Sequence, residues 1–195
     1  MRIIRAELNC ILFLLAILAG CAGGYRVEKS VDADGIEIDQ MVGNEIGVEG
    51  EGKYSDYAFQ GARLDLAGVD QQCYLDAVRR TKSNGTPVYY LLFSYTGPRD
   101  LHIVNRKSLT LLIDGHATVV LTGRGEVQRD ADEVSEIYTE SFYYIIPAEV
   151  LVRVADAKEV DVVVAGREFE LKCYLHDKNF DNFKRFVKEY IDWAD

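Results

Sequence analysis

Lys158-Glu159-Val160-Asp161-Val162-Val163-Val164-Ala165-Gly166-Arg167-Glu168-Phe169-Glu170-Leu171-Lys172-Cys173-Tyr174-Leu175 decides the fold class. Two runs rich in β-branched and apolar residues flank Gly166-Arg167, a glycine-first pair suited to a type II′ hairpin turn. Folding there sets Val164 opposite Phe169, Val162 opposite Leu171 and Val160 opposite Cys173 on one face. On the other face Val163 meets Glu170 and Asp161 meets Lys172. One side is apolar and the other largely polar, as in an antiparallel sheet with a single buried face.

The same logic extends upstream. Leu109 to Ile113 and His116 to Thr122 flank Asp114-Gly115, a pair that tolerates positive φ and marks a two-residue hairpin. In that register Ile113 faces His116, Leu111 faces Thr118 and Leu109 faces Val120. Residues 87 to 96, Pro-Val-Tyr-Tyr-Leu-Leu-Phe-Ser-Tyr-Thr, read as a strand closed by Gly97-Pro98. Gly123 to Glu133 reads as a polar loop, and Val134 to Ile146 is β-like. Pro147 opens a short helix near 147–157, with Glu149 at its positive end and Val150, Leu151, Val154 and Ala155 at helical spacing. Asp177 is a candidate N-cap for an amphipathic helix near 178–193, carrying Phe180, Phe183, Phe186, Val187, Tyr190 and Ile191 on one side. The expected fold is α+β, predominantly antiparallel β-sheet with these two helices.

At the N-terminus Arg2 and Arg5 precede an apolar run that ends in Leu18-Ala19-Gly20-Cys21. This is the charged, apolar and small-residue order of a secretory signal, too short to span hydrocarbon as a helix. Leu18 to Cys21 resembles the bacterial lipobox, which implies cleavage before Cys21 and lipidation of its thiol. Several acyl chains hold a protein on a membrane without crossing it. Ala22 stands where an aspartate often signals inner-membrane retention in Gram-negative lipoproteins, so the resemblance points to the outer membrane, facing the periplasm. The expected organisation is a signal at 1–20, a lipidated acidic glycine-rich tether at 21–53 and one globular domain at 54–195. Residues 22 to 52 hold eight acidic and two basic side chains, and seven glycines lie between Gly23 and Gly52. As a coil such a segment reaches on the order of 30 Å. Two other readings of it are calcium binding at Asp32, Asp34, Glu37 and Asp39, and an edge strand in which Ile36 and Ile38 alternate with charge.

The chain has 195 residues, 48% of them hydrophobic, and a formal charge of −10. It can fill a core, and its acidity argues against nucleic acid as a partner. With Cys10 removed and Cys21 lipidated, Cys73 and Cys173 remain as either an exported disulfide or two buried thiols. Neither has the near neighbour that a zinc or redox motif requires.

Tyr89-Tyr90-Leu91, Ser108-Leu109-Thr110-Leu111-Leu112-Ile113-Asp114-Gly115, Ala155-Asp156-Ala157-Lys158-Glu159-Val160 and Asn182-Phe183-Lys184-Arg185-Phe186 lie between about Val88 and Ile191. Through them this stretch resembles a group of uncharacterised bacterial lipoproteins or secreted proteins of unknown function. The resemblance implies an envelope location and carries no functional residue over; the arm before Tyr54 lies outside it.

The sequence contains no nucleophile elbow, zincin helix or P-loop, so no catalytic residue, metal ligand or cofactor is assigned. His102, His116 and His176 fall in separate elements, and Ser94 or Ser108 could pair with a histidine only through the fold. Arg99, His102, Arg106 and Lys107 form the one basic island, a candidate contact for an anion or an acidic partner, or a solvated loop. Tyr89, Tyr90, Tyr143 and Tyr144 come in adjacent pairs, so one of each pair faces outward. The expected function is a lipid-anchored, non-enzymatic interaction or structural module of the envelope with a protein partner. The alternative is an envelope hydrolase or metal-dependent enzyme whose site is assembled from scattered His, Ser and acidic residues.

Overall fold

The computed structural model describes residues 25–49, 71–104, 107–132, 137–167 and 169–191. Among them are ten strands: β1 (Arg26–Val31), β2 (Glu37–Val42), β3 (Glu45–Val48), β4 (Gln72–Thr81), β5 (Pro87–Gly97), β6 (Lys107–Ile113), β7 (Ala117–Asp132), β8 (Ile137–Ile145), β9 (Val160–Ala165) and β10 (Glu170–Tyr174). Two helices complete the set, α1 (Ala148–Asp156) and α2 (Asp177–Tyr190). All strand pairings are antiparallel. The order β4-β3-β10-β9-β6-β7-β8-β5 returns to β4, so eight strands close into a barrel, and β1 and β2 form a flap on the outer half of β4. The α+β expectation holds in its general form, and the closed barrel goes beyond it.

Inward positions alternate along each strand and fill the interior. Leu75, Leu91, Phe93, Tyr95, Leu109, Leu111, Phe142, Tyr144, Val162 and Val164 are all buried. Eight strands enclose a space that side chains can occupy completely, and here large aromatic rings do so. The Phe142 ring lies where a side chain on Gly123 would project, so glycine on β7 makes room for it.

Residues 26–48, within the expected tether, are strands of the same sheet. Glycine and charge suggested a solvated coil, but Met41, Ile46 and Val48 are buried and supply an apolar face. Gly43, at φ +75°, makes a bulge between β2 and β3. Its extra residue moves the inward positions from odd (Asp39, Met41) to even (Ile46, Val48). The chain thereby leaves the flap and enters the barrel.

Both predicted hairpins form with altered registers. At β6/β7 the loop has three residues, so Ile113 pairs with Ala117, Leu111 with Val119 and Leu109 with Leu121. A one-residue slip reverses the facing of a strand; Val120 consequently points outward and Leu121 inward. At β9/β10 the Gly166 N–H donates to the Phe169 carbonyl (3.0 Å), closing a four-residue loop. Cys173 therefore opposes Val162, and Asp161 opposes Tyr174 rather than Lys172. The slip is two residues, so the faces survive. Gly166 serves a close approach instead of a positive φ, because a side chain there would strike the Leu101 carbonyl. The polar run expected to be a loop from Gly123 continues β7 as far as Asp132.

Both helices lie at one barrel end. There the Ile146 N–H donates to the Tyr89 carbonyl (3.1 Å) and the Leu175 N–H to the Val160 carbonyl (3.1 Å). Helix α1 runs from β8 to β9, α2 packs against α1, and the Tyr89 hydroxyl donates to the Tyr190 carbonyl (2.9 Å). Pro147 is the N-cap of α1 rather than its first helical residue. The N-cap of α2 is His176, one residue before the expected Asp177, and its N–H donates to Asn179 Oδ1 (2.7 Å). Asn44, at the β2/β3 bulge, docks α2: its Oδ1 accepts from the side-chain amides of Asn179 (2.8 Å) and Asn182 (2.9 Å). No helix among the described residues is long and apolar enough to cross a membrane.

Candidate functional site

The opposite barrel end is crossed by residues 98–104, which pass from β5 over β8 and β7 toward β6. Leu101 and Ile103 are buried and plug the mouth. The plug is held by Glu140 of β8, only 1% exposed. Its carboxylate accepts the backbone N–H groups of His102 (2.5 Å) and Ile103 (2.8 Å) and pairs with Arg129 Nε (3.2 Å). Arg129 also donates to the Ile103 carbonyl. A buried carboxylate needs such donors, because ionised oxygens without them incur the full desolvation penalty.

His102 has φ +55°, a left-handed conformation that a non-glycine residue adopts only under constraint. Asp100 supplies part of that constraint. Its Oδ1 accepts the His102 N–H (2.9 Å) and its Oδ2 lies 2.7 Å from His102 Nδ1. Burial alone would raise the Asp100 carboxyl, but hydrogen bonding to Glu140 and His102 outweighs it and holds the group below its ordinary range.

The rim of this end carries the predicted basic island in changed form. The Arg99 guanidinium stacks over Phe169 at 4.2 Å, and the Tyr95 hydroxyl donates to the Arg99 carbonyl (2.9 Å). Lys107 is exposed at the start of β6. Arg167, which the sequence alone did not assign to the island, joins it because its N–H donates to the carbonyls of Leu101 (3.2 Å) and His102 (3.1 Å). Arg129 arrives from β7, a convergence across 26 residues that only the fold reveals. Arg106 lies outside the described residues, as does Cys21. His102 is tied to Asp100 and belongs to the scaffold of the rim. Exposed Glu126, Asp130 and Asp132 line the outer part of β7.

The other candidates disperse. His116 is in the β6/β7 turn and His176 caps α2, both at the helical end, away from His102. Ser108 is buried and its hydroxyl bonds to that of Tyr144 at 3.0 Å inside the barrel; Ser94 is paired with Ser141. Among the described residues no group of three or more His, Cys, Asp or Glu could hold a metal ion. Asp32 instead caps the β1/β2 turn by accepting the N–H groups of Asp34 (3.0 Å) and Ile36 (2.9 Å), while Asp39 pairs with Lys29 and Arg79. Cys73 and Cys173 are both buried thiols. They lie on β4 and β10, on either side of β3, opposite Ile46 and Val48. Two strand spacings, about 9.5 Å, exceed the roughly 7 Å limit for bridging, so the disulfide is replaced by two separate thiols.

Two outer grooves, of about 670 Å³ beside Val119 to Gly125 and about 590 Å³ beside Lys158 to Val160, have no histidine in their linings. Of the four tyrosines, Tyr89 and Tyr144 are buried while Tyr90 and Tyr143 face outward and meet edge-on at 6.2 Å. The Arg80 guanidinium sits 5.5 Å and 5.1 Å from their rings. Comparison with family models, curated proteins and solved structures returns no match.

Proposed function

We propose that this chain is a lipid-anchored protein of the bacterial cell envelope, held through Cys21, whose plugged barrel end is a non-enzymatic docking surface for another envelope protein. The supporting observation is the placement of Arg99, Lys107 and Arg167 on one rim, next to the acidic outer part of β7, in a chain whose interior is packed with side chains. A packed barrel recognises partners with its outside. Adjacent rows of opposite charge suit a protein surface with a matching pattern better than a uniformly anionic bilayer or polymer, because like-charge contacts penalise the wrong partner.

On this reading the helical end faces the membrane and the rim faces away from it. Tyr25 contacts α2 through Glu189, so the chain enters at the helical end. Cys21 lies four residues earlier and reaches at most about 14 Å from it. The rim then stands about 20 Å farther out, the span of a tilted strand from Tyr89 to Gly97. Crosslinking in intact envelopes tests the proposal. A specific protein adduct should form with the native chain and fall at least several-fold when Arg99, Lys107 and Arg167 are changed together to Glu. An undiminished adduct removes the rim from the proposal. A Cys21→Ala chain that remains membrane-bound removes the anchor.

A further inference from the structure

Among the described strands the barrel has no edge, but the flap does. Strand β1 pairs only with β2 among the described strands, and it is exposed along most of its length, with Val31 64% exposed. The Asp32 N–H donates to the Ile36 carbonyl (3.0 Å), which fixes the phase of the β1/β2 ladder. Residues 26, 28 and 30 therefore turn their backbone groups toward β2, and residues 25, 27, 29 and 31 turn theirs outward. A row of outward-facing N–H and C=O groups is a template for another strand.

Natural edges are usually blocked by a lysine, and β1 has one. Lys29, however, is drawn back over the flap, 3.4 Å from Asp39 and 5.2 Å from the Tyr190 ring centre. The edge is left to Arg26 and Glu28, which share a 2.9 Å ion pair on the outer face.

We infer that β1 is a self-association edge, on which β1 of a second copy of this chain pairs antiparallel about Val27, so that Arg26 of each copy faces Glu28 of the other. Symmetry and charge select this register. A two-fold axis through an antiparallel pair is perpendicular to the sheet and preserves its faces, so only residues of equal parity can oppose each other. Centring on Arg26, Glu28 or Lys29 places identical charges face to face. Centring on Ser30 places Glu28 against Asp32. Centring on Val27 gives two Arg26–Glu28 contacts at non-hydrogen-bonded positions, where side chains are nearest, and sets Tyr25 opposite Lys29.

The full chain in detergent, followed by sedimentation across a concentration series, tests this. A monomer–dimer equilibrium is expected. E28R or R26E alone should weaken dimerisation about tenfold or more, since each turns two attractive contacts into two repulsive ones. The double variant R26E/E28R should return to within about threefold of the native value. Circular dichroism of each variant establishes that the fold is intact. A chain that stays monomeric at every concentration overturns the inference, as does a dimer indifferent to the single changes, a double variant that is not restored, or tighter association on E28Q.

Discussion

Asp76 lies on β4 with its carboxylate against the β2/β3 bulge, where Oδ1 accepts the Asn44 N–H at 2.9 Å. Burial pushes the group up to about 6, against the lowering effect of the Asn44 and Gly43 amides and with a smaller raising contribution from Glu28. A carboxyl raised in the folded state binds its proton more tightly there than in the unfolded chain. Its favourable contribution is complete below pH 3.8 and is lost as pH rises through about 6. Stability should therefore fall by on the order of 3 kcal/mol from this residue between pH 4 and pH 7. Asp76→Asn retains an oxygen for the Asn44 N–H and has no charge to desolvate. Denaturant melts across that range should show the variant gaining on the native chain as pH rises; a constant difference would contradict the assignment. The sequence displays Asp76 only as an acid among Cys73, Leu75 and Ala77. What makes it unusual is a bulge 32 residues upstream, which no local pattern reveals.

At the level of elements, what could be read depended on how local the determining contacts are. The hairpins at 109–122 and 158–175 and both helices were legible because alternation, turn residues and three-to-four spacing lie within one segment. Their registers were not, because partners elsewhere set loop length: Leu101 presses on Gly166, and the Asp114 carboxylate accepts the N–H groups of Lys158 (2.8 Å) and Glu159 (3.2 Å). Strand β4 was hidden because Asp76, Arg79 and Arg80 interrupt its apolar pattern. Arg99 and Lys107 were readable as part of a basic island, whereas Glu140, which holds the plug, looks in sequence like one more acid in a strand. Glu140→Gln removes the charge that pairs with Arg129 and leaves one acceptor oxygen where the carboxylate offered two to the His102 and Ile103 N–H groups and the guanidinium. It should destabilise the protein by about 2 to 4 kcal/mol. Amide exchange should accelerate at residues 99–104 and hardly at α2; a uniform increase would mean that Glu140 supports the whole barrel instead of its plug.

The whole molecule is a ring of strands, and a ring is as strong as its shortest ladder. Strand β3 has four residues, with two register pairs to β4 and two to β10, whereas β4 and β5 share ten. Opening free energy follows the number of cooperative contacts broken, so separation should begin along β3. Of the four residues that face β3 across its two ladders, Tyr74 and Cys73 on β4 and Cys173 and Tyr174 on β10, two are cysteines. Both thiols are sealed when the ring is shut, and the same parting would uncover both. A soluble thiol reagent should then modify the two cysteines at similar rates, faster than global unfolding permits. Gly43→Val, which places a β-branched residue in a left-handed conformation at the bulge, should raise both rates together. Unequal responses of the two would place the opening elsewhere. In that light the cysteines are resident gauges of how often the cylinder unzips, one on each lip of its seam.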